Sequence, residues 1–445
     1  MSRAVNDSET AVLDLGHPLV VGFGVTGRAM TKGLLDRGHR PMVCDDRAEA
    51  DGSALGVTVL TEPSAEELTG LIGQATVVLP SPGIPADHLL FRLASELHTP
   101  IGSEFDLAGR WDSRPVVGIT GTNGKTTVTT MVTDALVRSG IPAAAVGNTE
   151  VPWVGALGDE RIQTFVVEAS SFRLAHSARF APRVATWLNF SPDHLDAHAT
   201  LDDYEMAKAK LWSAIPADGI AIANAEDVTV LSHLRDDRAS QTFGLDAGDW
   251  RRVGNELVGP TGPFVEVSDL KRRQPHDLSN ACATAATARA AGASMEAIAE
   301  TLVMFEGLPH RVQFVGEWDG VRWYNDSKAT VPHATLAALG GFDSVVLIAG
   351  GKNKGLDLSP LAAAVPPVRA VVAMGDAVDE IADLFSEQVP VSLAASMAEA
   401  VAQAAGLARA GDTVLLSPSC TSFDWYSSYG QRGEDFMTIV SERFT

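Results

Sequence analysis

Positive charge is scarce in this chain. Its 34 lysines and arginines face 56 aspartates and glutamates, a formal net charge of −22. A nucleic-acid binder needs a basic face to displace counterions from phosphates, so the balance argues against that class. Cysteine is scarcer still: Cys44, Cys282 and Cys420 stand far apart with no metal-ligand spacing. An odd, sparse set in a long chain suits a reducing compartment. Long apolar runs are also missing, and none approaches the roughly 18 residues of a membrane span. The opening MSRAVNDSETAVLDLG has neither the basic n-region nor the apolar h-region of a secretory signal. The expectation is a soluble, cytoplasmic protein without membrane insertion. About the first 15 residues read as a loose tail.

What the chain does have is length and strand-sized apolar runs. At 445 residues the prior is about three domains. PLVVGFG, PMVCDD, ATVVLPSPG, PVVGITG, TFVVEASS, VATWLNF, GIAIANA, SVVLIAGG, AVVAMGD and DTVLLSPS each end in glycine or polar residues. Alanine- and leucine-rich helical segments separate many of them. Buried parallel strands read as continuous apolar runs, and their alternation with helices predicts an α/β architecture. Ligands in such sheets gather at the carboxyl ends of the strands. The divisions fall near 103 and 308, giving segments 1–103, 104–307 and 308–445.

The central segment carries GITGTNGKTTV, Gly118 to Val128. It ends in Gly-Lys-Thr as a phosphate loop does, but the Walker pattern wants a glycine where Ile119 stands. Helix-terminal amides, the point charge of Lys125 and the Thr126 hydroxyl suit phosphates and Mg²⁺. The alternative is a glycine turn with an incidental lysine. Glu168 ends the strand of TFVVEASS, where a metal-side carboxylate belongs, or else it faces solvent. His194 lies in a polar loop, NFSPDHLDAHAT, which reads equally as a solvated loop. In the next helix Tyr204, Lys208, Leu211 and Ile215 share one face. Lys208 therefore sits in an apolar stripe, whereas Lys210 points away. An inward lysine needs a partner or loses its proton. As a neutral amine it takes up CO₂ to form a carbamate able to hold Mg²⁺; a snorkelling lysine is equally open.

The first segment carries Gly22-x-Gly24-x-x-Gly27 after a strand, with Asp45 ending the next strand. Alone this reads as an NAD-binding fingerprint, yet the geometry serves any diphosphate. A second tight turn, LPSPGIP, ends another strand near the same edge. The last segment offers Arg311, Lys328, Lys352 and Lys354 as cations near strand ends, with Thr330 and Ser422 as hydroxyls. That set suits a small anionic substrate and a transferring phosphoryl group.

Taken together, TGTNGKTT, GLPHR, YNDSKAT and SPSCTSFD…RGEDF resemble the Mur ligases, over nearly the whole chain from about residue 16. The resemblance implies a Rossmann-like N-terminal domain, a central P-loop-type ATPase domain and a Rossmann-like C-terminal domain. It implies ATP-dependent addition of D-glutamate to UDP-N-acetylmuramoyl-L-alanine through an acyl phosphate. The first domain would hold the UDP moiety: Val25 and Thr26 by the diphosphate, Asp45, Asp46 and Arg47 near uridine, with Ser81, Pro82 and Gly83 helping. Gly121, Thr122, Asn123, Gly124, Lys125, Thr126 and Thr127 would form the ATP loop, and Asn280 would meet adenine. Glu168, His194, Thr126 and a carbamylated Lys208 would hold two Mg²⁺. Asn148 and Ser170 would face the muramoyl-alanine. Arg311 and Asp326 would serve the nucleotide and Lys328 the transferring phosphate. Thr330, Lys354, Ser422, Phe423 and Tyr429 would line the D-glutamate pocket. A monomer is the expected assembly.

This chain departs from the family pattern at two positions. Asp277 replaces the asparagine that usually follows His276, and Arg173 replaces the glutamine that usually follows Ser-Ser-Phe. Asp277 loses an amide donor, and Arg173 could pair with the substrate diphosphate. The rival readings are another Mur-type ligase or folylpolyglutamate synthase, an NAD-linked oxidoreductase resting on GFGVTG alone, and a nucleotide-binding regulator without catalysis.

Overall fold

The structure is a computed structural model that describes residues 13–192, 198, 200–353 and 355–444. The chain divides into two compact units, Met1–Phe305 and Glu306–Thr445.

The first unit opens with a small parallel sheet of β1 (Pro18–Val21), β2 (Met42–Asp45), β3 (Leu60–Thr61) and β4 (Val77–Pro80), in the order β3-β2-β1-β4. The helix Val25–Leu35 follows β1 directly. It can lie against the strand end because residue 27 is glycine: a Cβ there would sit 1.9 Å from the Gly22 carbonyl oxygen.

The central sheet is larger and wholly parallel. It contains β5 (Val116–Thr120), β6 (Ala143–Gly147), β7 (Thr164–Glu168), β8 (Val184–Trp187), β9 (Ile220–Asn224) and β10 (Ala239–Phe243), in the order β10-β9-β8-β5-β7-β6. The chain fills one side of β5 with β6 and β7, then crosses to the other with β8. A crevice therefore opens at the carboxyl end of β5, where ligands of such sheets bind. A short antiparallel sheet of β11 (Arg251–Val253), β12 (Glu256–Gly259) and β13 (Gly262–Glu266) closes this part.

One buried apolar cluster joins the two parallel sheets. Val20, Phe23, Met30 and Leu34 belong to it together with Phe105, Trp153, Phe165, Phe180 and Trp187. Packing across this seam is close: a Cβ on Gly33 would lie 2.9 Å from the Trp111 ring. A second cluster packs the helices Lys125–Arg138 and Pro275–Ala290 on the other face of the central sheet.

The second unit is built on β14 (Gln313–Trp318), β15 (Val321–Asn325), β16 (Val345–Gly350), β17 (Val368–Met374), β18 (Val391–Ala394) and β19 (Thr413–Ser419), in the order β14-β15-β19-β16-β17-β18. Only the edge strand β14 runs antiparallel to its neighbour. The apolar centres of β16 and β17 are fully buried, and the helix Tyr429–Phe444 packs on one face of the sheet. Among the described residues no helix is long and apolar enough to cross a membrane.

Candidate active site

The TGTNGKTT loop leaves β5 at its carboxyl end. Gly121 (φ +156°) and Gly124 (φ +82°) adopt positive φ, and the helix Lys125–Arg138 begins on the next residue. A Cβ on Gly124 would fall 2.5 Å from Asn280 Oδ1, so the Asn280 carboxamide lies against the loop. Asn189, just past β8, holds the loop from the other side. Its carbonyl accepts from the Thr122 amide (3.1 Å), and its side chain accepts from the Asn123 amide (2.9 Å) and donates to the Asn123 carbonyl (3.2 Å). No local sequence pattern marks Asn189 for this role. Thr122 Oγ1 accepts from the Ser191 amide at 3.1 Å and lies 3.2 Å from Tyr204 Oη. Lys125 Nζ donates to the carbonyls of Gly121 (2.8 Å) and Thr122 (2.7 Å). Thr126 and Thr127 follow in the half-buried first turn.

Glu168 ends β7 in register with Ile119 of β5 and Gly147 of β6. It is 2% exposed. Asn148 donates its amide N–H to the Glu168 carbonyl (2.8 Å) and its Nδ2 to Glu168 Oε1 (3.0 Å). Glu168 Oε2 is buried and has no hydrogen-bond donor among the described residues. A buried carboxylate oxygen without a donor is costly unless a cation meets it. The residues thus fit a bound divalent ion on this side of the loop. Among the described residues no cluster of three or more His, Cys, Asp or Glu forms; His194 lies outside them. Ser170, also buried, caps the short helix Ser171–Ala175 by accepting from the Arg173 amide.

Lys208 occupies the buried face of the helix Leu201–Ser213, with Tyr204 and Leu211. It is 1% exposed, whereas Lys210 is exposed. Its Nζ donates to the Gly121 carbonyl at 2.8 Å and lies 4.4 Å from the centre of the Tyr204 ring. Two ammonium groups, of Lys125 and Lys208, therefore meet at one loop carbonyl.

At the first sheet, Asp45 organises the turns. Its oxygens accept from the Phe23 amide and from the Arg47 amide (2.8 Å), Nε (2.9 Å) and Nη2 (3.0 Å). Burial pushes this carboxyl up, but the Arg47 guanidinium and the two amides outweigh it and hold the pKa below the usual range. Asp45 thus fixes Arg47, which remains half exposed at the sheet edge. Asp46 pairs with His88 at 3.1 Å. Ser81 Oγ donates to the Gly22 carbonyl (2.6 Å) and joins the SPG turn of Ser81, Pro82 and Gly83 to the glycine turn. Val25 is exposed and Thr26 buried in the first turn of the helix.

The two departures from the family pattern have structural roles. Arg173, 7% exposed, pairs with Glu104 through Nη1 and donates from Nη2 to Thr26 Oγ1 at 3.2 Å. Asp277 sits at the third position of the helix Pro275–Ala290. It accepts from the Gln274 amide (3.3 Å) as half of a capping box and pairs with Arg272 (2.9 Å).

In the second unit the GLPHR loop is pinned to the end of β15. His310 and Val312 hold positive φ on either side of Arg311. Asn325 Nδ2 lies 2.9 Å from His310 Nδ1, and the Val312 amide donates to Asp326 Oδ1 at 3.1 Å. Asp326 Oδ2 accepts from Ser417 Oγ at 2.7 Å. Burial pushes the Asp326 carboxyl up to about 6. Lys328 Nζ lies 5.4 Å from the centre of the Tyr429 ring, and the Thr330 amide donates to the Lys328 carbonyl. A backbone bridge between Lys352 and Thr421 joins GGKNKG to the SPSCTSF loop. Ser422 is buried there and Phe423 exposed. Lys354 lies outside the described residues. Arg432, missed as a functional candidate in the sequence, is 1% exposed. It donates to Ser327 Oγ and O and to the Cys420 carbonyl, tying the NDSKAT loop to the end of β19.

Comparison with known proteins follows the same division. A model of the Mur ligase middle domain matches residues 119–288, and one of the Mur ligase, glutamate ligase domain matches residues 310–420. The chain is 40% identical to the UDP-N-acetylmuramoylalanine–D-glutamate ligase of Frankia casuarinae, across 98% of this chain and 96% of that one. It is 37% identical to the ligase of the same name from Legionella pneumophila strain Paris, across 95% and 98%. In fold it resembles the UDP-N-acetylmuramate–alanine ligase of Thermotoga maritima, with a TM-score of 0.56 and 19% identity over 96% of this chain and 99% of that one. It also resembles MurF of Acinetobacter baumannii, with a TM-score of 0.56 and 19% identity over 84% and 88%.

Proposed function

The chain belongs to the Mur ligase family, and from that premise we propose that it joins D-glutamate to UDP-N-acetylmuramoyl-L-alanine with consumption of ATP. It is an ATP-dependent, C–N bond-forming ligase of peptidoglycan precursor synthesis. Residues 1–103 take the UDP moiety, 104–307 the ATP and metal, and 308–445 the amino acid. The protein acts as a cytoplasmic monomer.

A carboxylate cannot accept an amine directly, because the leaving group would be oxide. The L-alanine carboxylate oxygen therefore attacks the γ-phosphorus of ATP, the bond to ADP breaks, and an acyl phosphate forms. The D-glutamate amine then attacks the acyl carbon, phosphate departs, and the nitrogen loses its proton. Both steps build negative charge, which fixed dipoles and cations stabilise better than mobile water. Loop amides from Gly121 to Thr127 and the Lys125 ammonium hold the phosphates, and Asn280 meets the adenine side. Thr126 and Glu168, with His194 and a carbamate on Lys208, are the residues that would hold two Mg²⁺. When bound, Mg²⁺ supplies Lewis-acid neutralisation of phosphate oxygens. Asn148 and Ser170 face the muramoyl-alanine. Val25, Thr26, Asp45, Asp46, Arg47 and the Ser81–Gly83 turn serve the UDP moiety. Arg311 and Asp326 serve the nucleotide and Lys328 the transferring phosphate. Thr330, Lys354, Ser422, Phe423 and Tyr429 orient D-glutamate.

The observation that carries the metal-dependent part is the buried Glu168 Oε2, left without a donor among the described residues at the crevice of the central sheet. The test of the whole reading is phosphate release from ATP with UDP-N-acetylmuramoyl-L-alanine, offering D-glutamate, L-glutamate, L-alanine or diaminopimelate in turn. Release is expected only with D-glutamate, with a product heavier by one glutamyl unit. Release with a different amino acid overturns the assignment of the last segment and leaves the ligase chemistry standing.

A further inference from the structure

Arg173 takes no part in the proposed chemistry, yet its buried contacts tie two parts of the site together. It lies five residues beyond Glu168, on the helix that begins at Ser171. Its Nη1 is held by Glu104 Oε2, and Glu104 Oε1 accepts from the Val154 amide at 3.2 Å. Glu104 is thus fixed from two elements, and at 3% exposure it cannot swing away. The other end of the guanidinium, Nη2, donates to Thr26 Oγ1 at 3.2 Å. Arginine has donors only, so the Thr26 oxygen must accept. That leaves the Thr26 hydroxyl proton to point elsewhere. The residue at the N-cap of its helix, Gly24, has no side chain to accept from the first turn, so the amides there are left for an anion.

We propose that Arg173 is a positioning residue for the UDP-linked substrate: acting through Thr26, it turns the Thr26 hydroxyl into a fixed donor for the diphosphate. The proposal rests on the assignment of the diphosphate to this turn. Direct contact between Arg173 and the diphosphate is disfavoured, since the guanidinium is buried and its charge is already matched by Glu104. The same side chain links the diphosphate turn to the strand end that carries Glu168. The UDP-linked substrate must present its carboxylate near that end, so the link sets the distance between the two halves of the reaction.

The test is a cycle of variants measured for the KM of UDP-N-acetylmuramoyl-L-alanine, the KM of ATP, kcat and Tm. Thr26→Val removes the hydroxyl. Glu104→Gln with Arg173→Met removes the buried pair without stranding a charge. Arg173→Lys keeps the charge beside Glu104, but its single ammonium loses the two-ended fork. Each is expected to raise the KM of the UDP-linked substrate about tenfold, the scale of one lost hydrogen bond to a charged group, with the KM of ATP unchanged. Adding the Glu104/Arg173 changes to Thr26→Val is expected to raise it no further. If the pair variant does not fold, Arg173→Lys alone and in combination with Thr26→Val gives the same reading. Additive effects, or equal rises for ATP and the UDP-linked substrate, overturn the proposal. An effect of Thr26→Val with none of the Arg173 variants overturns it alone. No effect of Thr26→Val overturns the assignment of the diphosphate to this turn, and the proposal with it.

Discussion

Asp326 shows how a single residue can carry a pH signature. Its carboxyl is buried between Ser417 and the Val312 amide, and burial raises its pKa from 3.8 to about 6. The unfolded chain ionises this group near 3.8, while the folded chain keeps the proton to about 6. Between those values the folded state binds more protons, so stability falls as pH rises. The contribution is fully present below 3.8 and lost above 6, at most about 3 kcal/mol. Urea midpoints between pH 4 and 6 are expected to decline in the wild type and to flatten in Asp326→Asn. A slope unchanged by that substitution assigns it to other groups. Lys208 makes a second residue-scale case. We expect Lys208→Ala to lower turnover at least about a hundredfold, as for loss of a fixed electrostatic group, and acetate to restore part of it by standing in for the proposed carbamate. Turnover near normal in Lys208→Ala would remove the carbamate from the mechanism. Its inward position was legible from helical spacing alone. Asn189, Arg432 and the Arg173–Glu104 pair were not, because each acts through contacts distant in sequence, and no local pattern marks them.

At the scale of elements, the apolar runs quoted from the sequence all lie on strands of the parallel sheets. Several other strands carry no such run, each for its own reason. Ala143–Gly147 is alanine-rich and reads as helix, and Ala239–Phe243 is a polar edge strand with exposed residues. Val321–Asn325 alternates between faces, and its antiparallel partner Gln313–Trp318 is a half-solvated edge strand whose register shifts between Phe314 and Gly316. The TGTNGKTT loop shows how few residues a tight turn of this kind needs. With Ile119 in place of a glycine, the turn is made by Gly121 and Gly124, both at positive φ. Gly124→Ala would place its Cβ 2.5 Å from Asn280 Oδ1 and force a side chain into left-handed backbone, costing roughly 1 kcal/mol or more. The expected result is a rise of about tenfold or more in the KM of ATP, with that of D-glutamate unchanged. Comparable rises for both substrates would mean the loop does not act on the nucleotide alone.

Across the whole molecule, the division at residue 103 marks a change of proposed ligand and not a break in packing. The first sheet and the central sheet share one buried cluster, and the helix Val25–Leu35 packs on Trp111 and the helix Trp153–Ala156. Cutting the chain at 103 would expose the faces of Phe23, Met30 and Leu34, which are at most 1% exposed in the intact unit. Each such side chain is worth about 1.5–3 kcal/mol of burial, against a total domain stability of about 5–15 kcal/mol. The second unit keeps both of its apolar clusters within residues 321–440. Residues 1–305 and 306–445, expressed separately, are therefore expected to give cooperative urea transitions and ordered near-ultraviolet circular dichroism, while residues 1–103 give neither. A cooperative transition from 1–103 would show that the seam is dispensable. The fixed distance between the Gly22–Gly27 turn and Glu168, on which the proposed role of Arg173 depends, would then have to be maintained by something other than folding.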